Sequence, residues 1–232
     1  IADNPLILDW CRYRIDDHQW SEPVPIWEAF TRIRSYYGLP TSRNNRDVQP
    51  WRQVQDRQPI TADDQIDIEL TFLAANVEKN RYPVRLVVES GNQYAINVNG
   101  NTDIHPAGTW LDQAFTAFDI TTALQEGENT VVLSTTFDEL WELENSFIVG
   151  GFRVTPKAIG KPNLADFQPA SLGLGDWTEQ GYPFYAGQME YEATFNWSRL
   201  ARGQAILQLI DLKAPIARIY VNGQYCDRIA LP

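Results

Sequence analysis

From residue 66 the chain alternates. Ile66, Ile68, Leu70 and Phe72 are separated by Asp67, Glu69 and Thr71, a period of two that gives a strand one buried and one wet face. Leu86, Val87 and Val88 form a compact apolar run, and Tyr94, Ile96 and Val98 alternate again before Asn99-Gly100. That dipeptide suits a type I′ hairpin turn, in which both central residues take positive φ. Asp119, with Thr121 as the alternative cap, is placed to open one helical turn that Gly127 closes, and residues 130–136 predict another strand. Phe147, Val149, Phe152 and Val154 predict at least one more, interrupted at Gly150-Gly151, where a bulge or a close backbone approach is expected.

Nearer the start, residues 6–15 predict a strand bounded by Pro5 and Asp16-Asp17. The period then changes. After Ser21, Pro23 and Pro25, the apolar residues Ile26, Phe30, Ile33 and Tyr37 follow at helical spacing and stop at Gly38 and Pro40, which predicts a short amphipathic helix. Residues 41–60 read as an irregular polar connection with Trp51 as its one anchored side chain. Short strands without helical crossovers predict a mainly β, antiparallel sandwich preceded by a short strand and helix.

The pattern occurs twice. Residues 66–100 lie over 189–223 at a constant offset of 123, with Glu69, Thr71, Phe72, Leu86, Ile96, Val98, Asn99 and Gly100 identical to Glu192, Thr194, Phe195, Leu209, Ile219, Val221, Asn222 and Gly223. A period this long indicates two copies of a domain and not a solenoid, whose repeats run about 20–50 residues. The expected division is a connecting segment over 1–60, a first sandwich over 61–157 and a second over 158–232, with Pro156–Pro169 as the linker. Strands around Phe195 and over 206–210, and a hairpin after Val221, should repeat the first copy. Pro232 maps onto Thr109, so counterparts of 110–154 are missing and the second copy reads as truncated. A sandwich lacking those strands leaves an edge unpaired and an apolar face open. Beginning at Ile1 with no leader, the chain reads as a piece of a longer polypeptide.

Charge narrows the partners. With 19 Lys and Arg against 30 Asp and Glu, the net charge of −11 argues against nucleic acid or an anionic membrane, which need clustered cations. A neutral ligand is compatible. Cys11 and Cys226 are too few for a disulfide framework or a cysteine zinc site and read as free, partly buried thiols. Gly173-x-Gly175 lacks the Gly-x-x-Gly-Lys continuation of a phosphate loop. His18 and His105 stand in polar contexts without a nucleophile elbow. The acidic groups Asp16-Asp17, Asp63-Asp64 and Asp138-Glu139 with Glu142 and Glu144 are the only carboxylates grouped as glycoside hydrolysis requires. Neighbouring carboxylates on a strand point to opposite faces, so these groups read as solvated turns. Asn196-Trp197-Ser198 matches the glycosylation acceptor pattern and is read as accidental.

The run from Gly175-Asp176-Trp177 to Gly181-Tyr182-Pro183-Phe184-Tyr185-Ala186-Gly187, followed by Tyr191–Phe195 and Ile219-Tyr220-Val221-Asn222-Gly223, resembles the galactose-binding-like jelly-roll β-sandwich of large glycoside hydrolases, the family 2-type sugar-binding domain. The first copy resembles it through Leu86–Glu89, Val98-Asn99-Gly100, Trp110-Leu111-Asp112 and the Gly127-Glu128-Asn129 lead into a late strand. The whole is similar to the C-terminal region of bacterial proteins of glycoside hydrolase family 106, the α-L-rhamnosidase type. This resemblance implies a non-catalytic accessory region that braces a catalytic domain on the same parent polypeptide and contacts carbohydrate, in a periplasmic or secreted protein. It also implies a structural calcium ion without naming ligands, and it departs from the pattern at Gly150-Gly151-Phe152, where an acidic residue is expected.

The sharpest site candidate is aromatic. Trp177, Tyr182, Phe184 and Tyr185 in a Gly-rich segment have the makeup of a carbohydrate platform, since ring faces stack on the C–H face of a pyranose while neighbouring polar groups take its hydroxyls. The same four rings suit a plug that seals a sandwich against its neighbour. Trp51, Trp110 and Trp141 read as core or interdomain packing. Two further functional readings are an independent carbohydrate-binding module and a fragment that lends a substrate-contacting loop to a glycosidase active site.

Overall fold

A computed structural model of the chain describes residues 3–39, 60–168, 171–196, 206–210, 212 and 214–230. The connection through Trp51 and the Trp197 and Ser198 positions of the acceptor pattern lie outside the described residues. The chain divides into two compact units, Ile1–Met189 and Glu190–Pro232.

The first unit is mainly β. Its strands are β1 (Asn4–Leu8), β2 (Trp10–Ile15), β3 (Val24–Pro25), β4 (Thr61–Ala75), β5 (Arg85–Glu89), β6 (Ala95–Val98), β7 (Pro106–Trp110), β8 (Asp112–Asp119), β9 (Gly127–Asp138), β10 (Ser146–Gly150), β11 (Arg153–Thr155) and β12 (Leu164–Asp166), with helix α1 (Ile26–Tyr36) after β3. One sheet runs β1-β10-β5-β8-β7. The other is built on the long β4, which pairs with β9 and through it β6 on one side; on the other side β2, leading to β3, and β12, leading to β11, share its length. All pairs are antiparallel except β12 with β4. One apolar core joins the two sheets, with Leu86, Phe118 and Ile148 from the first and Ile66, Ile68, Leu70, Phe72, Val98 and Leu133 from the second. This is the antiparallel two-sheet arrangement of a β-sandwich.

Alternation accounts for β4. Its even-numbered residues from 66 to 72 are buried in the core, while on the opposite face the buried Asp67 and the partly exposed Glu69 meet Arg14 and Arg12 at 2.7 and 3.1 Å. The predicted strand over 6–15 is two strands, because the chain changes sheets at Asp9: β1 pairs with β10 and β2 with β4. Helix α1 buries Ile26, Ala29, Phe30 and Ile33 on one stripe. Its N-cap position is Pro25 with no side-chain cap bond, while the Ser21 hydroxyl accepts from Tyr13 N instead. Tyr37, expected to continue the stripe, is the C-cap and stacks on Phe137 with 3.6 Å between ring centroids.

The turn before β9 is locked by Asn129, which is fully buried. Its Oδ1 accepts from Asn99 Nδ2 at 2.8 Å and Gln125 N at 2.9 Å, and its Nδ2 donates to the carbonyls of Gln125 and Gly127 at 2.9 and 3.1 Å. Every polar valence of that amide is engaged, so burial carries no desolvation penalty. Asn99, at φ 53° in the hairpin turn, accepts from Thr130 N, so the β6 turn and the start of β9 hold each other. Asp119 accepts from Thr121 N just ahead of the short 3-10 turn Thr121–Ala123, but the N-cap position is Ile120 and the C-cap is Leu124, not the expected Gly127, which begins β9. At Gly151 an added Cβ would stand 2.8 Å from the Tyr82 ring, the close approach that the paired glycines imply.

Trp141 is buried and donates to Tyr94 Oη at 2.7 Å. Trp110 packs with Phe115 and Phe147 over Val87, Ala117 and Val149, an apolar cluster separate from the main core. Cys11 is buried and Cys226 exposed, and both are free thiols.

The second unit contains the hairpin β13 (Ile216–Val221) and β14 (Gln224–Ala230). Residues 191–196 and 206–210, expected as strands, are not in strands. In the first copy the matching strands β4 and β5 are paired with β9, β8 and β10; strands form by pairing, and the described residues of the second unit supply only β13 and β14. No helix among the described residues is long and apolar enough to cross a membrane.

Candidate functional site

Beyond β12 the first unit ends in a loop that carries all four predicted aromatics. Asp176 opens its 3-10 turn Trp177–Gln180 by accepting from Thr178 N at 2.8 Å. Gln180 ties the loop to itself, accepting from Gly173 N at 2.8 Å and donating to Asp176 O at 3.2 Å.

Gly181 fixes the loop to the sandwich. Its φ of +97° is one that glycine adopts without a Cβ clash, and a Cβ there would lie 2.7 Å from Arg153 Cβ. Its carbonyl accepts from Val154 N in β11 at 2.8 Å and from Asn4 Nδ2 in β1 at 2.8 Å. The same Asn4 nitrogen donates to Phe152 O at 3.0 Å. Loop, first strand and β11 therefore meet at one residue.

Between this loop and β11–β12 lies an open cleft of about 530 Å³, within the size range of ligand pockets. Arg153, Asp166, Thr178, Glu179, Gln180 and Tyr182 line it. Arg153 Nη2 donates to Asp166 Oδ2 at 3.0 Å, and Asn76 Nδ2 donates to Asp166 Oδ1 at 2.8 Å. Burial would raise the Asp166 carboxyl, but the bonds from Gln168 N, Asn76 and Arg153 hold it below its ordinary value. Arg153 Nε and Asn4 Oδ1 are buried without a hydrogen-bond partner. Burial pushes the Tyr182 phenol up, and the Arg153 guanidinium opposes it.

Of the four predicted aromatics, the cleft takes Tyr182. Tyr185 meets Tyr182 edge to face, 5.9 Å between centroids, and donates its hydroxyl to Gln188 O. Phe184 is 37% exposed and Trp177 half-buried, and neither lines the cleft. Arg153, Asp166 and Asn4 escaped the sequence reading. The signal for Arg153 was weak, a cation two residues after a glycine pair, and Asp166 lay in a stretch read as linker.

The acidic groups serve turns and contacts. Asp16 accepts from Gln65 N, Asp64 from the Tyr37 hydroxyl, Asp138 from Leu140 N, and buried Glu139 from Ile60 N. His105 bonds Asp103 and His18 packs against Tyr36. Among the described residues no group of three His, Cys, Asp or Glu is placed to hold a metal ion. The cleft presents a guanidinium, two carboxylates, an amide and a hydroxyl beside the Tyr182 ring.

No protein-family model matches the chain, and no curated protein matches it in sequence.

Proposed function

We propose that this chain is a non-catalytic accessory region of a bacterial glycoside hydrolase, built on galactose-binding-like jelly-roll sandwiches, and that it braces the parent's catalytic domain and holds neutral carbohydrate. The carrying observation is the cleft: the Tyr182 ring stands beside Arg153 and Asp166, which are already oriented by each other and by Asn76. Preset polar groups next to an aromatic face suit a pyranose, which pairs its hydroxyls while covering the ring. The net charge of −11 favours a neutral ligand over an anionic one. The accessory part of the reading rests on the family resemblance.

Tryptophan fluorescence titrated with rhamnose-, galactose- and xylose-containing oligosaccharides tests the carbohydrate role. A saturable response to one class is expected, weakened about tenfold by Tyr182→Ala, the scale of a lost aromatic contact. No response to any of the three, with the parent enzyme losing stability when the region is deleted, would leave bracing as its sole role. Hydrolysis of a glycoside by the purified chain alone would overturn the accessory reading.

A further inference from the structure

A second cleft, of about 460 Å³, lies between strand β2 and helix α1 and shares no lining residue with the first. Its floor is the end of β2, which contributes Tyr13 and Arg14. The chain after β2 folds back along that strand, with His18 N donating to Ile15 O at 3.1 Å and Ser21 N to Tyr13 O at 2.9 Å, and this return contributes His18 and Gln19. Helix α1 closes the other side with Arg32 and Tyr36. Among the described residues no carboxylate lines the cleft, although the chain carries 30 Asp and Glu. Asp16, in the turn after β2, accepts from Gln65 N at 2.7 Å instead.

Both guanidinium groups are set before any ligand arrives. Arg14 Nε and Nη2 lie 2.8 and 2.7 Å from one oxygen of the buried Asp67, and its Cζ stands 4.8 Å from the centre of the Trp20 ring. Arg32 is held by Glu28, one helical turn away, at 2.6 Å. Among the described residues Arg14 Nη1, the His18 ring nitrogens, the Gln19 side chain and the Tyr36 hydroxyl have no hydrogen-bond partner.

A cleft furnished in this way offers chiefly donors, which selects a ligand that accepts. Guanidinium edges match the planar pair of oxygens of a carboxylate. Asp67 and Glu28 already offset part of each arginine's charge, so a monoanion is favoured over a dianion. The wider acidic surface acts weakly here, because charges beyond about 8 Å are screened at physiological ionic strength. The volume exceeds the needs of a bare ion and suits a ring-sized body, for whose hydroxyls Gln19 and Tyr36 are unpaired partners. We infer that this cleft binds a carboxylate carried on a small polyhydroxylated ring, the chemistry of a sugar acid, with Arg14 and Arg32 as the groups that take the carboxylate. The inference is independent of the neutral-carbohydrate reading, which concerns the cleft at Arg153 and Asp166.

Backbone amide NMR of the whole 232-residue chain, titrated separately with glucuronate, glucose and inorganic phosphate, tests it. Glucuronate is expected to shift the amides of residues 13–21 and 32–36 saturably, while glucose leaves them in place. Arg32→Gln, at a side chain 48% exposed on α1, should weaken glucuronate binding about tenfold, the scale of a lost charge-assisted contact. Arg14→Lys keeps a cation against Asp67 but loses the flat donor edge, and should weaken binding too while the amides of the core stay in place. No saturable shift with glucuronate, equal shifts with glucose, or binding that survives both substitutions overturns the inference. Phosphate bound as tightly as glucuronate makes the cleft a general anion site and overturns the assignment to a carboxylate. Glucuronate shifts confined to residues 153–182 place the ligand in the other cleft and likewise overturn it.

Discussion

Phe72 and Phe195 occupy the same place in the repeat, yet Phe72 is fully buried and Phe195 is 67% exposed. Leu86 and Leu209 differ likewise, 0% against 40%. The residues match; the neighbours do not. An alternating run specifies which side of a strand is apolar, but burial comes from a facing sheet, and strand structure from a neighbour that accepts its hydrogen bonds. A hairpin by itself is marginal in water, whereas the described residues of the first unit form twelve strands in two sheets joined by a shared main core.

The largest expected difference is in thiol chemistry. Burial pushes the Cys11 thiol from 9.0 up to about 12, which cuts its reactive thiolate by about a thousandfold before access is counted. Cys226 is exposed. A chromogenic thiol reagent at pH 8 should label Cys226 promptly and Cys11 only after unfolding; equal native rates would erase the contrast.

Next come the matched phenylalanines. Phe72→Ala should destabilise the first unit by about 3–5 kcal/mol through lost burial and the cavity left behind. Phe195→Ala should change stability by less than about 0.5 kcal/mol, the scale of surface substitutions. Urea melts of the two variants measure both, and a comparable loss from each would show that the second unit buries its apolar face.

The matched turn asparagines follow. Asn99→Ala leaves the buried Asn129 amide and the Thr130 N–H short of partners, a cost of about 1–3 kcal/mol. Asn222→Ala removes only a residue suited to positive φ and should cost less. Reversal of that order in chemical denaturation would break the comparison.

The smallest effect is a slope. Burial alone would raise the Asp67 carboxyl, but bonds from Ser134, Arg14 and Gln65 hold it below its ordinary 3.8. A depressed carboxyl contributes stability above the unfolded value, and that contribution disappears as pH falls through the folded one. Asp67→Asn should therefore flatten the acid limb of first-unit stability, by at most about 1.4 kcal/mol per pH unit. An unchanged acid limb would show that Asp67 does not bind its proton more weakly in the folded state.

Much of the first unit was legible because its signals are local. Ile26, Phe30 and Ile33 define helix α1 by spacing, and Ile66 to Phe72 define β4 by alternation. Asn99-Gly100 announced its turn through the φ it requires. What escaped depends on distant partners. Nothing in residues 6–15 shows that the chain leaves one sheet at Asp9 and joins the other, since both strands are apolar and β-favouring. Strand β12 has three residues, too few to show a period, and exists because β4 continues past β2 and offers it an edge. The cleft is similar: Tyr182 stood out in a Gly-rich aromatic run, whereas Arg153 and Asp166 acquire their meaning by facing each other across β11 and β12.

Asn4 lies 177 residues before Gly181 in sequence, and one amide nitrogen clasps the two. The opening strand is therefore a latch for the cleft's roof. A purification handle or fusion placed just ahead of Asn4 would pull on that latch, so the carbohydrate titration proposed above is best run with any such appendage at the far end of the chain.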